Sequence, residues 1–208
     1  MAVERLTQER RKELTRATLV AAAADVFARK GFVAASLDEI ADAAGYTRGA
    51  IHFHFGSKED LFLAVLARHE EHLLAAYVER RRAAESFAVD AAGNASEWTA
   101  VHAAGGVDDV VLQLEFSTFA LRNPGFRVRA AELEQRTVAA TAELLVELAE
   151  QRGLRWKVPV EQVSELLHVT SRGLVERSAI TGRDEEATFE AFLSMLWQHA
   201  LEPLEMED

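Results

Sequence analysis

Residues 36–60 read SLDEIADAAGYTRGAIHFHFGSKED, and the fold turns on how that stretch is punctuated. Ser36 with Glu39 three residues on is a capping box, which opens a helix by satisfying its free amides. Leu37, Ile40, Ala41 and Ala44 then make one apolar face, and Gly45 ends the helix after barely two turns. Thr47 caps a third helix almost at once, running through Ile51 to about Phe53. Ser57 with Asp60 forms a second capping box, from which a much longer helix starts. Upstream, Leu19, Ala23, Val26 and Phe27 fall at helical spacing between Leu14 and Lys30, with Gly31 as a C-cap and Phe32 as its apolar contact. Two short helices joined by a tight glycine turn form a helix-turn-helix. A small helical bundle whose caps carry no function would show the same spacing.

The remaining chain is helical too. The fourth helix is expected from Lys58 to about Glu85. Gly93, Asn94, Gly105 and Gly106 predict a loop across 86–107 with one short helix near Ser96–Ala104. Asp108–Arg122 is helical, with acids at its N-terminus where the helix dipole favours them. Asn123 is expected to cap, and Pro124 to occupy the first position, of a long helix reaching about Arg152. Gly153–Pro159 connects to two last helices, Val160–Ile180 and Glu185–Leu201. Both are apolar on more than one face: in the last, Phe189, Phe192, Leu193, Leu196 and Ala200 form a stripe that Met195 and His199 extend sideways. One side packs on the chain itself, and the other is available to a second copy, with Gly173 permitting close approach. The class is all-α, with about nine helices: an N-terminal three-helix helix-turn-helix head joined by a long fourth helix to a C-terminal helical bundle.

Composition excludes several function classes. The 208 residues contain no cysteine, so disulfides, thiolate metal sites and cysteine catalysis are out. No apolar run reaches transmembrane length, and the charged N-terminus is unlike a signal peptide, so no membrane partner and a cytoplasmic location are expected. The net charge of −11 is unevenly shared. Residues 1–58 carry nine Lys/Arg against seven Asp/Glu, a net of +2, and residues 59–208 carry fourteen against twenty-seven, a net of −13. Nucleic acid therefore remains open to the head and is disfavoured for the body. No phosphate loop, dinucleotide fingerprint or nucleophile elbow occurs, so neither catalytic residues nor a cofactor are expected. His52 and His54 lie about 200° apart on a helix and cannot share an ion. His69 and His72 could, but a solvated helix face accounts for them, and no metal site is expected.

Taken in register, the VFARKGF helix end, SLDEIADAAG, TRGAI and HFGSKEDL resemble the N-terminal domain of TetR-family transcriptional regulators over nearly all of residues 15–66. Beyond residue 70 only the helical pattern and ALRNPGFR are similar to that family. The resemblance implies a helix-turn-helix DNA-binding domain at 1–58 and a ligand-binding and dimerisation domain at 59–208. It implies a homodimer, here through the last two helices, which binds a palindromic double-stranded operator and is released from it by a small molecule.

On the head, Tyr46, Thr47 and Arg48 open the third helix where side chains meet a major groove. Arg48 can pair with guanine O6 and N7 or grip a phosphate. Gly49 leaves room for a close backbone approach. Lys58 brings a charge to the free amides of the fourth helix, a natural phosphate position, and Ser36 plays a similar part at the second. Phe53 matches a frequent aromatic position of the family beside the DNA backbone. His52 stands where most members carry a phosphate-contacting tyrosine, and His54 is expected to pack within the head. Arg10, Arg11 and Lys12 are candidates for a minor-groove arm. For the ligand, Trp98, His102, Phe116, Phe119 and His168 combine aromatic bulk with hydrogen-bonding groups in helices expected to face inward. Two other readings remain at this stage: a small-molecule-binding helical protein whose head serves protein association, and an activator with the same architecture.

Overall fold

The computed structural model describes residues 7–83 and 91–204. Among these, eight helices occur in the order α1 (Gln8–Ala34), α2 (Leu37–Ala44), α3 (Arg48–Phe55), α4 (Lys58–Ala83), α5 (Ala91–Arg122), α6 (Pro124–Glu150), α7 (Val160–Thr181) and α8 (Glu186–Ala200). Gly106, at φ +67° and ψ −165°, breaks α5 into two rods, and Gly31 kinks α1 three residues before its end. The protein is all-α with an N-terminal helix-turn-helix head. Its chain divides into two compact units: Met1–His69 with Val111–Ala130, and Glu70–Val110 with Ala131–Asp208.

The first unit is built around rings. Phe27 and Phe32 from α1, Phe62 from α4, Phe116 and Phe119 from α5 and Phe126 from α6 form a continuous cluster. Phe32 stacks on Phe62 with centroids 4.3 Å apart, and Phe119 meets Phe126 edge-on at 4.9 Å. Edge-to-face and offset contacts of this kind add to the transfer free energy of burial. Leu19, Ile40, Ile51 and Leu61, all fully buried, extend this core. Two polar contacts tie its elements together. The Arg129 guanidinium pairs with the Asp60 carboxylate, and the Glu115 carboxylate accepts the backbone N–H of Phe32. That N–H is free because α1 is broken at Gly31, whose φ of +78° and ψ of 159° leave the helical region.

The second unit packs Ala95 and Trp98 of α5 against Leu174 of α7 and Phe189 and Leu193 of α8, with Leu167, Val175, Phe192 and Trp197 around them. Two of its enclosed polar side chains, Ser164 and Glu185, are paired. The Ser164 hydroxyl, inaccessible to solvent, donates to the Val138 carbonyl at 2.8 Å. Glu185, 5% exposed, takes two guanidinium N–H groups from Arg177 and the Thr188 hydroxyl, and the Arg177 charge beside it holds its carboxyl below the usual carboxylate range.

Three expectations need correction. The helix expected only near Ser96–Ala104 begins at Ala91: Gly93 lies in its first turns, and Asn94 is held by the Tyr77 hydroxyl while Ala95 and Trp98 fill the core. Burial on one face outweighs the propensity cost of a single glycine. The loop expected at 86–107 otherwise falls partly on 86–90, which lies outside the described residues, as does the fourth helix's expected end at Glu85. Asn123 does not cap α6 with its side chain; its amide donates backward to the Phe119 carbonyl at 2.8 Å, closing the end of α5. The Gly153–Pro159 connector contains a strand, β1 (Leu154–Trp156), paired antiparallel with β2 (Leu201–Pro203), with Arg155 opposite Glu202 and their side chains 2.9 Å apart. Three-residue strands are too short to show alternation.

Gly31 generates a prediction. A Cβ there would overlap the Glu115 carboxylate, and the backbone conformation is one that L side chains rarely adopt. Gly31→Ala should lower stability by about 2 kcal/mol or more, from backbone strain plus displacement of Glu115. Urea unfolding of the full chain measures it; a loss of a few tenths would show that neither constraint matters.

Candidate nucleic-acid interface

The interface is assembled by caps. Ser36 Oγ accepts the Glu39 amide at 3.2 Å, and the Glu39 carboxylate returns to the Ser36 amide at 3.1 Å, completing the expected box. The Lys30 ammonium beside it, together with Ser36, holds the Glu39 carboxyl below its usual range. Gly45 ends α2 at φ +70° and ψ 28°, the left-handed conformation that glycine adopts without a Cβ clash. Thr47 Oγ1 accepts the Ala50 amide at 3.3 Å and starts α3 two residues later. Ile40 and Ile51, both inaccessible to solvent, face inward from the two helices. At α4, Ser57 Oγ accepts the Asp60 amide at 3.0 Å, while the Asp60 carboxylate takes the Ser57 hydroxyl rather than its backbone N–H.

What faces outward follows from what Ile51 holds inward. Thr47, Arg48, Gly49, His52 and Phe53 are all exposed, Phe53 to 75%. Arg48 lies between two partners: an Asp38 carboxylate oxygen at 3.4 Å and Nε2 of His52 at 3.4 Å, which accepts from the arginine Nε–H. Tyr46 is partly exposed, and its phenol oxygen accepts the Thr15 hydroxyl at 3.3 Å. A Cβ on Gly49 would meet only Thr47 Oγ1, at an ordinary 3.6 Å, so no neighbouring helix dictates the glycine. Lys58 donates to the Val33 carbonyl at 3.1 Å and lies 4.7 Å over the Phe32 ring; burial pushes its pKa down, against the opposing pull of Glu59 and Glu115. One of its three N–H groups is thus committed to the protein. Lys12 sits over Phe53 at 5.8 Å and Arg16 over Phe55 at 5.0 Å, contacts that residue spacing does not reveal. His54 packs between those rings, with Nδ1 buried and unpartnered among the described residues. Burial first, then Lys12 and Arg16, pushes its pKa down.

The five candidate ligand residues are not brought together. Phe116 and Phe119 belong to the ring cluster of the first unit. Trp98, His102 and His168 belong to the second. There the Trp98 indole N–H donates to the Ser171 hydroxyl, which lies 3.4 Å from His102 Nε2, while His168 stands beside Arg172 and Glu134 at 3.3 and 3.5 Å. Ser171, Arg172 and Glu134 were not singled out from the sequence, where each resembles an ordinary surface residue of a helix.

With this geometry in place, comparison with known proteins decides the family. Residues 19–65 match the family described as "Bacterial regulatory proteins, tetR family". The repressor AcnR of Corynebacterium efficiens is 30% identical over 164 residues, covering 79% of this chain and 81% of AcnR. The chain belongs to the tetR family. The transcriptional activator FasR of Mycolicibacterium smegmatis is 48% identical over 59 residues, 28% of this chain and 27% of FasR. Against the first curated relatives, FasR and TtgR of Pseudomonas putida, the match spans only 27% and 32% of their length. A TetR-family regulator from Rhodococcus sp. superposes with a TM-score of 0.69 at 17% identity, covering 88% of this chain and 97% of that one. No helix among the described residues is long and apolar enough to cross a membrane.

The capping box makes a pH prediction. Because the folded-state pKa of Glu39 is depressed, its contribution to stability is present above the ordinary carboxylate pKa and is lost as pH falls through the folded value. Glu39→Gln should therefore flatten the decline in melting temperature on acidification from about pH 5 to about pH 3 relative to the unsubstituted protein. Parallel curves would remove Glu39 from the acid response.

Proposed function

We propose that this TetR-family chain is a cytoplasmic, non-enzymatic repressor that binds a palindromic operator as a homodimer and is released by a small molecule. Residues 1–58 serve as the DNA-binding domain and 59–208 as the ligand-binding and dimerisation domain. The observation that carries the reading is the exposed start of α3, where Thr47, Arg48 and His52 share one surface held in place by buried Ile51. Ser36, Tyr46, Gly49, Phe53 and Lys58 are its flanking contacts, at the capped starts of α2 and α4 and along α3. The acidic majority of the chain keeps nonspecific DNA contact low, so affinity is concentrated in this near-neutral head. Repression rather than activation is favoured because AcnR, matched over most of its length, is a repressor.

Dimerisation is supported by the outer faces of α7 and α8. Leu166, Val169 and Ile180 on α7 and Met195 on α8 are exposed, Val169 to 69% and Ile180 to 74%. Gly173 lies between them with open space around it, so a second helix can approach closely. The apolar faces left over after α7 and α8 have packed on Leu174, Phe189 and Leu193 are what a symmetric partner would cover. Two recognition helices in such a dimer must lie about 34–36 Å apart to read successive turns of one DNA face. A ligand bound in the second unit would act by altering that spacing through α4, α5 and α6, which carry residues of both units. Trp98, His102 and His168 are its proposed contacts; Phe116 and Phe119 would feel it only through the first unit's core.

Arg48→Ala should cost about 1–3 kcal/mol in operator affinity per half-site and relax sequence preference, whereas Lys58→Ala should weaken binding to all duplexes and reduce the salt slope by about one per protomer. Mobility-shift titrations at several salt concentrations, on a duplex selected by the protein from a random pool, separate these effects. Equal losses on specific and random DNA for Arg48→Ala would remove it from the base-reading surface. Val169→Glu should yield a monomer by analytical ultracentrifugation with little change in melting, since that side chain is exposed in the folded chain; an intact dimer would place the interface elsewhere.

A further inference from the structure

His52 is held by its ring in a way that fixes where its proton sits. Nδ1 lies 2.9 Å from the carbonyl oxygen of Gly56, and the Gly56 amide donates back to the His52 carbonyl at 3.0 Å. A lone pair on Nδ1 would repel that oxygen, so Nδ1 carries the hydrogen and donates. In the neutral ring the other nitrogen, Nε2, is then an acceptor. It faces Arg48, whose Nε–H donates to it at 3.4 Å. His52 is exposed, one helical turn beyond Arg48 on the same face of α3. A duplex approaching Arg48 therefore meets the Nε2 edge of His52 as well.

A neutral Nε2 lone pair is the wrong group to present to a polyanion once Arg48 has turned toward DNA. Adding a proton converts it into a charged donor while leaving the Nδ1–Gly56 bond intact. We propose that operator binding takes up one proton at His52, the imidazole exchanging Arg48 for a DNA phosphate. This rests on the operator-binding reading above. The charged groups near His52 are Arg48 on its own helix and, through Arg48, Asp38 on α2. From α1, Lys12 and Arg16 lie over Phe53 and Phe55; from the start of α4, Lys58 is turned to Val33 and Phe32. A phosphate can accept from a protonated Nε2, whereas the Arg48 guanidinium that faces Nε2 in the free head is a donor and cannot. The sign follows: the bound state holds the proton more tightly, so affinity is greatest at low pH and falls as pH rises. An imidazole titrates within the range where the protein can be assayed.

The test is the operator dissociation constant at fixed salt across about pH 5.5–8.5, with the pool-selected duplex, since an imidazole changes charge inside that window. The unsubstituted protein should lose up to about tenfold in affinity per pH unit for each protomer, the limit for one linked proton at each His52. His52→Gln should bind with weak pH dependence, and His52→Arg, a permanent cation, should bind tightly and evenly across the range. A flat profile in the unsubstituted protein overturns the proposal, as does a slope surviving in both variants, which would assign the proton to another group. Absence of salt-dependent binding at every pH would instead overturn the operator reading itself, and the proposal with it.

Discussion

The presentation of α3 depends on one constraint, the left-handed turn at Gly45 gripped by a cap on either side. At φ +70° glycine lets the backbone leave α2 and re-enter a helix three residues later without the roughly 1–2 kcal/mol that a Cβ adds in the left-handed region. Ser36 anchors the helix before the turn and Thr47 the one after it, so neither end can fray to relieve the geometry. Burial of Ile40 and Ile51 then sets the rotation of α3 about its axis. With Ile51 inward, Arg48 and His52, one helical turn apart and in contact with each other, are both left exposed.

The same head is secured from behind by rings rather than charges. Phe62 meets Phe27, Phe32, Phe116 and Phe126, so the first turns of α4 share a core with the end of α1 and with residues 111–130. Glu115 adds a directional element: a carboxylate aimed at the N–H that α1 leaves unpaired where Gly31 breaks it. Displacing α5 within this unit would therefore be felt at the α1–α2 turn, and through Ser36 at the start of the helix-turn-helix. Coupling of this kind needs only packed elements that move together.

The recognition stretch was legible in the sequence because its signals are short-range. A capping box spans four residues, a C-capping glycine one, and an amphipathic face two turns; all were in place before any long-range contact was known. The ligand candidates were legible only as residue types. Trp98, His102 and His168 gather polar partners in the second unit, but the partners Ser171, Arg172 and Glu134 come from α7 and α6, and no local pattern marks a helical serine or arginine as inward-facing. Phe116 and Phe119 read as inward-facing, correctly, yet which core they would enter depended on the path of the chain.

The amino-acid sequence by itself determined the all-helical class, the helix boundaries at Ser36, Gly45 and Thr47, the charge division between head and body, and which side chains α3 exposes. Each of these rests on interactions within about one or two helical turns, where backbone geometry leaves few choices. Tertiary structure alone decided the Glu115–Phe32 and Arg129–Asp60 contacts, the pairing of β1 with β2 and the allocation of the aromatic residues between two cores. These join groups far apart in the chain, or need an atom-to-atom geometry that spacing does not specify. Their energies are realised only when the folded backbone brings the groups together.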